Sequence, residues 1–216
     1  MDSRLQAITE FVPRGSRVAD IGTDHGYLAA ELIKKNIASF VTATDKNIGP
    51  LEAARKNLKM LGLENKIELR LGDGLKILKP NEIDVICIAG IGGALICDIL
   101  KNSPEIISTV KKIILQPMNA SEKIRQWANE NNFYIEDENL AEVDNIIYEI
   151  ICLSKNFIDK KSTRKLNSPL YNKFIETKIK KLQKILESMN QSQKASKSEK
   201  YFEIEKQIEE LRLMLK

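Results

Sequence analysis

The sequence predicts a doubly wound α/β sheet of seven strands, finished by an antiparallel pair and followed by a C-terminal helical hairpin. Three observations predict it. Short apolar runs, many of them β-branched, alternate with helical stretches through residues 1–154. The early runs lack polar alternation, as expected of strands buried on both faces of a parallel sheet. Beyond residue 154 the composition turns basic and the apolar spacing becomes heptad-like.

The strand runs fall at residues 18–21, 40–44, 67–71, 83–89, 113–116, 133–135 and 146–153. Between them the clearest helix is 49–61, opened by Gly49-Pro50 and carrying Leu51, Ala54, Leu58 and Leu61 at spacings of three and four. A second helix is expected over 27–35. The polar, acidic stretch 137–145 reads as a connection between the last two strands. From 155 to 168 the chain reads as a linker. Then Ile175, Ile179, Leu182, Leu186 and Met189 form one heptad seam, and Tyr201, Ile204, Ile208, Leu211 and Leu215 another. Residues 190–198 between them read as an exposed turn. An antiparallel hairpin in a monomer is the simplest arrangement, and a dimeric coiled coil competes with it. The expected division is therefore a body, 1–154, and a basic helical part, 155–216.

Charge follows the same division. The body holds 18 Lys and Arg against 22 Asp and Glu, and the remainder 16 against 8. A slightly acidic body with a basic appendage suits a polyanionic partner. No run of about 18 apolar residues is present to span a membrane, and no basic leader precedes an apolar segment. Three scattered cysteines, Cys87, Cys97 and Cys152, suit a reducing cytoplasm. With His25 the only histidine and no ligand spacing, no metal centre is expected.

The informative segment is Val18-Ala19-Asp20-Ile21-Gly22-Thr23-Asp24-His25-Gly26, a strand leading through a glycine turn into a helix. Ligands of open α/β sheets sit at the carboxyl ends of strands where the strand order reverses. Asp24 stands where a dinucleotide fingerprint needs its second glycine, and a carboxylate there repels a pyrophosphate. An acidic turn suits a cationic ligand, and S-adenosylmethionine, with its ammonium and sulfonium groups, is one. Asp45 ends the second run, where a carboxylate can accept from ribose hydroxyls. Asp73-Gly74 follows the third, where adenine can be held. Ala89-Gly90-Ile91-Gly92-Gly93 ends the fourth with small residues that leave room for a methyl group. Each acid has a plainer reading as a helix cap or turn former; what favours binding is their register at successive strand ends.

These residues resemble the class I, Rossmann-like methyltransferases, and more narrowly the bacterial tRNA (adenine-22-N1)-methyltransferase family. The likeness covers about residues 1–153. It rests on Arg4-Leu5, Val12-Pro13-Arg14-Gly15, Ala19-Asp20-Ile21-Gly22-Thr23-Asp24-His25-Gly26-Tyr27-Leu28, Ala89-Gly90-Ile91-Gly92-Gly93 and Leu115-Gln116-Pro117. The family often has asparagine directly after Gln-Pro; here Met118 intervenes before Asn119. The resemblance implies an S-adenosylmethionine site lined by Asp20, Gly22, Thr23, Gly26, Asp45, Lys46, Asp73, Gly74, Ala89 and Gly90. It implies an acceptor side of Arg4, Asp24, His25, Tyr27, Gln116, Pro117, Met118 and Asn119, with Asp24 and His25 nearest the chemistry.

Adenine N1 carries a lone pair and no proton, so alignment is the main demand on the enzyme. Asp24 either stabilises the cationic product or caps the following helix; His25 either touches the acceptor or is structural. Gln116 and Asn119 carry amides able to read a Watson–Crick edge. In the basic part, Lys160, Lys161, Arg164 and Lys165 lead into Lys173, Lys180 and Lys184, which share one stripe beside the apolar seam and can track tRNA phosphates. The competing readings are a methyltransferase with another acceptor, a non-catalytic RNA-binding protein on a similar body, and a nicotinamide-dependent dehydrogenase, which Asp24 disfavours.

Overall fold

The computed structural model describes residues 2–156, 163–192, 196 and 198–215. The chain forms two compact units, residues 1–165 and 166–216. The first opens with α1 (Ser3–Thr9), β1 (Ser16–Ile21), α2 (Tyr27–Lys34), β2 (Ala38–Asp45), α3 (Ile48–Leu61) and β3 (Ile67–Leu71). It continues through β4 (Val85–Ile91), α4 (Gly93–Lys101), α5 (Pro104–Thr109), β5 (Lys112–Pro117), α6 (Ser121–Glu130), β6 (Tyr134–Val143) and β7 (Ile146–Ser154). All seven strands join one sheet in the order β3-β2-β1-β4-β5-β7-β6. The first five run parallel and β7 is antiparallel to β5 and β6. The strand order reverses between β1 and β4, which opens a crevice at their carboxyl ends.

Both sheet faces are buried, and adjacent strand residues divide between them. Val18, Val41, Cys87 and Ile114 pack under Ile8, Leu32 and Leu58 on one face. Ala19, Ile86, Ile113 and Leu153 pack with Ile96, Leu100, Ile106 and Trp127 on the other. That two-sided burial explains why these strands lack polar alternation. All three cysteines are buried and free.

The expected connection at 137–145 is a correction. Most of it is strand: β6 runs to Val143 and pairs with β7 as far as Val143 opposite Ile146. The turn is Asp144-Asn145, with φ of 49° and 63°, the left-handed pair that tight hairpins require and that Asp and Asn tolerate. The acids of β6 are accommodated because cations meet them. Arg164 pairs with Asp137 at 3.3 Å, Arg125 with Glu138 at 2.5 Å and Lys165 with Glu138 at 3.4 Å. Arg164 and Lys165 thereby belong to the body, and the first compact unit extends through them.

The second unit contains α7 (Tyr171–Asn190) and α8 (Glu199–Leu213), which pack on each other. Ile175, Ile179, Ile204 and Ile208 of the two seams are buried. Leu182, Leu186, Met189, Tyr201 and Leu211 are half-buried, and Leu215 is exposed. Lys173, Lys180 and Lys184 are exposed on α7. Lys160, Lys161 and much of the expected turn at 190–198 lie outside the described residues. Among the described residues no helix is long and apolar enough to cross a membrane, and no cluster of potential metal ligands occurs.

Candidate active site

The turn after β1 is built from alternating left-handed residues: Gly22 at φ 75°, Asp24 at 51° and Gly26 at 71°. The N–H groups of Gly22 and Thr23 both donate to the Thr44 carbonyl, at 2.8 and 2.9 Å, which ties the turn to the end of β2. Gly26 begins α2, and a Cβ there would stand 3.3 Å from Ala54 Cβ on α3. A Cβ on Gly22 or Gly90 would meet no atom within 4 Å, so both glycines border open space. Their positive φ disfavours any side chain that would fill it.

Asp20 lies beneath this turn, only 4% exposed. Its Oδ2 accepts a hydrogen bond from Thr23 Oγ1 at 2.7 Å. Burial pushes its carboxyl up to about 6; hydrogen bonds from Thr23 and the Ala29 backbone oppose that, and the charge of Asp45 adds to it. A carboxylate so placed gains from any cation that approaches it.

A cavity of about 680 Å³ opens here, within the usual range for small-molecule sites. At the strand ends it is lined by Asp20, Gly22, Thr23, Asp24, Ala89, Gly90 and Gln116; Arg4, Leu5 and Tyr27 join from the helices. It continues along α2 and α3 past Glu31, Lys34, Asn57 and Leu61. Nine of the expected site residues thus share one space: Arg4, Asp20, Gly22, Thr23, Asp24, Tyr27, Ala89, Gly90 and Gln116.

The other expected residues of the first unit are not part of its lining. Asp45, at the end of β2, accepts from the Asn47 N–H at 2.9 Å, and Lys46 beside it is exposed. Asp73 is exposed and paired with Lys76 at 2.7 Å, which holds its carboxyl below the usual range. Gly74 follows it at φ 61°. His25 stacks on Tyr27 with ring centroids 5.4 Å apart, and Asn57 Nδ2 donates to its carbonyl at 3.0 Å. His25 Nε2 lies 3.7 Å from Asp24 Oδ1, with the Asp24 side chain 69% exposed.

One alternative is corrected, and one expected residue is found engaged within the protein. Asp24 does not cap α2: the N-cap is Gly26, with no side-chain hydrogen bond. Its carboxylate is therefore not committed to the helix. The amide of Gln116 is committed, being 1% exposed. Its Oε1 accepts from the Gly90 N–H at 3.2 Å and its Nε2 donates to the Pro117 carbonyl at 3.0 Å. It ties β4 at Gly90 to the end of β5 while still lining the cavity. Pro117 is buried, whereas Met118 and Asn119 are exposed beyond the end of β5. The Met118 N–H donates to Ile91 O at 2.9 Å, and Asn119 O accepts from the Gly93 N–H at 3.1 Å.

Arg4 is oriented by groups that sequence reasoning missed. Its Nε and Nη2 donate to Asp2 Oδ2 at 2.9 and 2.5 Å. Its guanidinium lies 4.9 Å from the centre of the Tyr148 ring. Asp2 has a local signal, because Asp-Ser-Arg before a helix is a capping pattern. Tyr148 enters from β7, far along the chain, with no local signal.

A family model described as a methyltransferase domain matches residues 1–151. The chain is 36% identical over 151 residues to the tRNA (adenine(22)-N(1))-methyltransferase of Bacillus subtilis (strain 168), covering 70% of this chain and 63% of that relative's length. The crystal structure of the B. subtilis tRNA methyltransferase TrmK is similar over 100% of this chain and 99% of its own, with a TM-score of 0.85 at 28% identity. The structure of M. capricolum TrmK with S-adenosyl-homocysteine is similar over 98% and 96%, with a TM-score of 0.82 at 30% identity. The chain belongs to the methyltransferase-domain family and, within it, to the group that contains the TrmK enzymes.

Proposed function

We propose that this chain transfers a methyl group from S-adenosylmethionine to N1 of adenine 22 in tRNA, acting in the cytoplasm as a monomer. One observation carries the reading: a cavity at the β1–β4 switch point has a buried acid beneath it and two side-chain-free positions at its border. The donor set fits the cofactor. Asp20 offers negative charge to a cationic group, and the open space at Gly22 and Gly90 admits close approach to the backbone. Asp45 and Asp73, at the next two strand ends, are assigned to the ribose and the adenine. Thr23, Gly26, Lys46, Gly74 and Ala89 complete the walls. When bound, the cofactor supplies an electrophilic methyl group on a sulfonium.

The residues of the chain then have defined tasks. The exposed Tyr27 ring, backed by His25, offers a flat face on which an adenine can stack. An adenine whose Watson–Crick edge is paired must first be exposed. Its N1 then attacks with a lone pair, so no base is needed to start the reaction. Alkylation leaves the ring positively charged. Asp24, uncommitted to the helix and lining the cavity, stabilises that charge or takes a proton from the exocyclic amine. Arg4, Met118 and Asn119 border the acceptor side. Lys173, Lys180 and Lys184 on α7 meet phosphates of the folded tRNA, by shape more than by sequence. The test is methyl transfer from labelled cofactor to unmodified bulk tRNA: incorporation that S-adenosylhomocysteine inhibits is expected, and absence of incorporation refutes the assignment.

A further inference from the structure

Among the described residues outside the cavity, a network of buried charge lies between α6, β6 and β7. Glu149 is buried, and each of its carboxylate oxygens is engaged. Oε1 meets Arg125 at 3.0 Å and Lys165 at 2.6 Å. Oε2 accepts from Ser121 Oγ at 2.6 Å. Glu138 closes the network from β6 through Arg125 and Lys165. Burying charges in this way is weak evidence of added stability, because desolvation offsets the attraction. What such a network supplies is a fixed geometry, and its fixed end is Ser121.

Ser121 is the first residue of α6, and the loop before it faces the glycine turn at the end of β4. Ala120 holds a left-handed φ of 51°, a conformation alanine adopts only under external constraint. Asn119 O accepts from the Gly93 N–H at 3.1 Å, and Met118 N–H donates to Ile91 O at 2.9 Å. A Cβ on Gly93 would stand 2.5 Å from Ala120 O and 2.8 Å from Asn119 O, so the two backbones touch. The same glycine turn contains Gly90, which borders the cavity. The loop is thus held from two sides, by the glycine turn and by Glu149 through Ser121.

We infer that Ser121, fixed by Glu149, is a positioning residue that sets the Met118–Asn119–Ala120 loop against the Gly90–Gly93 turn and so places the acceptor base. The inference rests on the tRNA reading above and adds the device that shapes its acceptor side. Neither residue touches the reacting atoms; both act through the loop backbone.

The experiment uses the full chain with Ser121→Ala, Ser121→Thr and Glu149→Gln, and reads three quantities. In steady-state methylation of tRNA, Ser121→Ala is expected to lower kcat about tenfold, a loss smaller than the roughly hundredfold that a misplacement of about 1 Å can cause. Its affinity for S-adenosylhomocysteine stays within about twofold, and Ser121→Thr restores most of the kcat by restoring the hydroxyl. In hydrogen exchange, Ser121→Ala speeds exchange of the Met118 and Gly93 amides about tenfold or more, while amides of β1 are unchanged. Glu149→Gln retains an oxygen acceptor and is expected to perturb those two amides less than Ser121→Ala. Unchanged kcat together with unchanged exchange in Ser121→Ala overturns the inference. Lost activity with uniformly accelerated exchange across the sheet also overturns it, because the serine is then a general stabiliser. If the unaltered chain methylates no tRNA, the acceptor reading falls, and the exchange of Met118 and Gly93 still decides whether Ser121 holds the loop.

Discussion

Thr23 Oγ1 donates a hydrogen bond of 2.7 Å to Asp20 Oδ2 across the turn that follows β1. The bond keeps one oxygen of a buried carboxylate satisfied, yet burial still pushes the carboxyl up to about 6. The site therefore holds its charge at a disadvantage in the absence of a cation, as binding sites often do.

That disadvantage is measurable in Asp20→Asn. Below about pH 3 the carboxyl is largely protonated in both folded and unfolded chains and contributes almost no penalty. As pH rises towards 6 the unfolded chain ionises first, and stability is lost until the folded group ionises too. At pH 7.5 the full penalty, about 3 kcal/mol for a carboxyl raised from 3.8 to about 6, is in place. Asp20→Asn, which can still accept from Thr23, is expected to be more stable than the unaltered chain at pH 7.5 by up to that amount. The gain should shrink as pH falls below about 6 and vanish near about pH 3 in urea titrations. Its affinity for S-adenosylmethionine should fall, whereas in the unaltered chain that affinity should rise with pH up to about 6 and then level off. A gain independent of pH would remove the buried charge from the account.

Asp45→Ala tests the ribose assignment. A carboxylate that accepts from ligand hydroxyls contributes about 1.5–3 kcal/mol, so calorimetry with S-adenosylhomocysteine should show affinity falling at least tenfold. Unchanged affinity in a folded variant would show that Asp45 only holds the Asn47 backbone.

The limit of the body can be tested by truncation. A chain ending at Lys165 retains the pairs of Arg164 with Asp137 and of Lys165 with Glu138 and Glu149. A chain ending at Ser154 loses them and leaves buried carboxylates short of partners, a change of about 3–5 kcal/mol. Urea unfolding should separate the two by several kcal/mol. Equal stability would mean that residues 155–165 add nothing to the body.

Replacing Lys173, Lys180 and Lys184 together by Glu should weaken tRNA binding and leave affinity for S-adenosylhomocysteine unchanged. The slope of log affinity against log salt should fall by about 2–3, one increment for each phosphate that is no longer neutralised. An unaltered slope would make the stripe an ordinary solvated helix face.

Much of this was legible in the sequence because it depends on local pattern. The β-branched runs and the helix at Ile48–Leu61 follow from periodicity, and the turn at Gly22 follows from a strand ending in glycine. What escaped depends on distant partners. The acids of β6 read as loop because nothing nearby shows that Arg125, Arg164 and Lys165 will meet them. Gln116 reads as a free amide because its acceptor role towards Gly90 arises only when β4 and β5 pair. The orientation of Arg4 by Tyr148 joins the two ends of the first unit and has no signal along the chain. Local pattern locates the glycine turn; tertiary packing decides which side chains remain free to act.

The central claim is methylation of N1 at one adenine. The most direct measurement compares two unmodified transcripts of the same tRNA, one with adenine and one with guanine at position 22. Each is incubated with the full chain and S-adenosylmethionine, then digested for nucleoside mass spectrometry. The account predicts 1-methyladenosine in the first transcript and none in the second. Absence of 1-methyladenosine from both, or equal amounts in both, would contradict it.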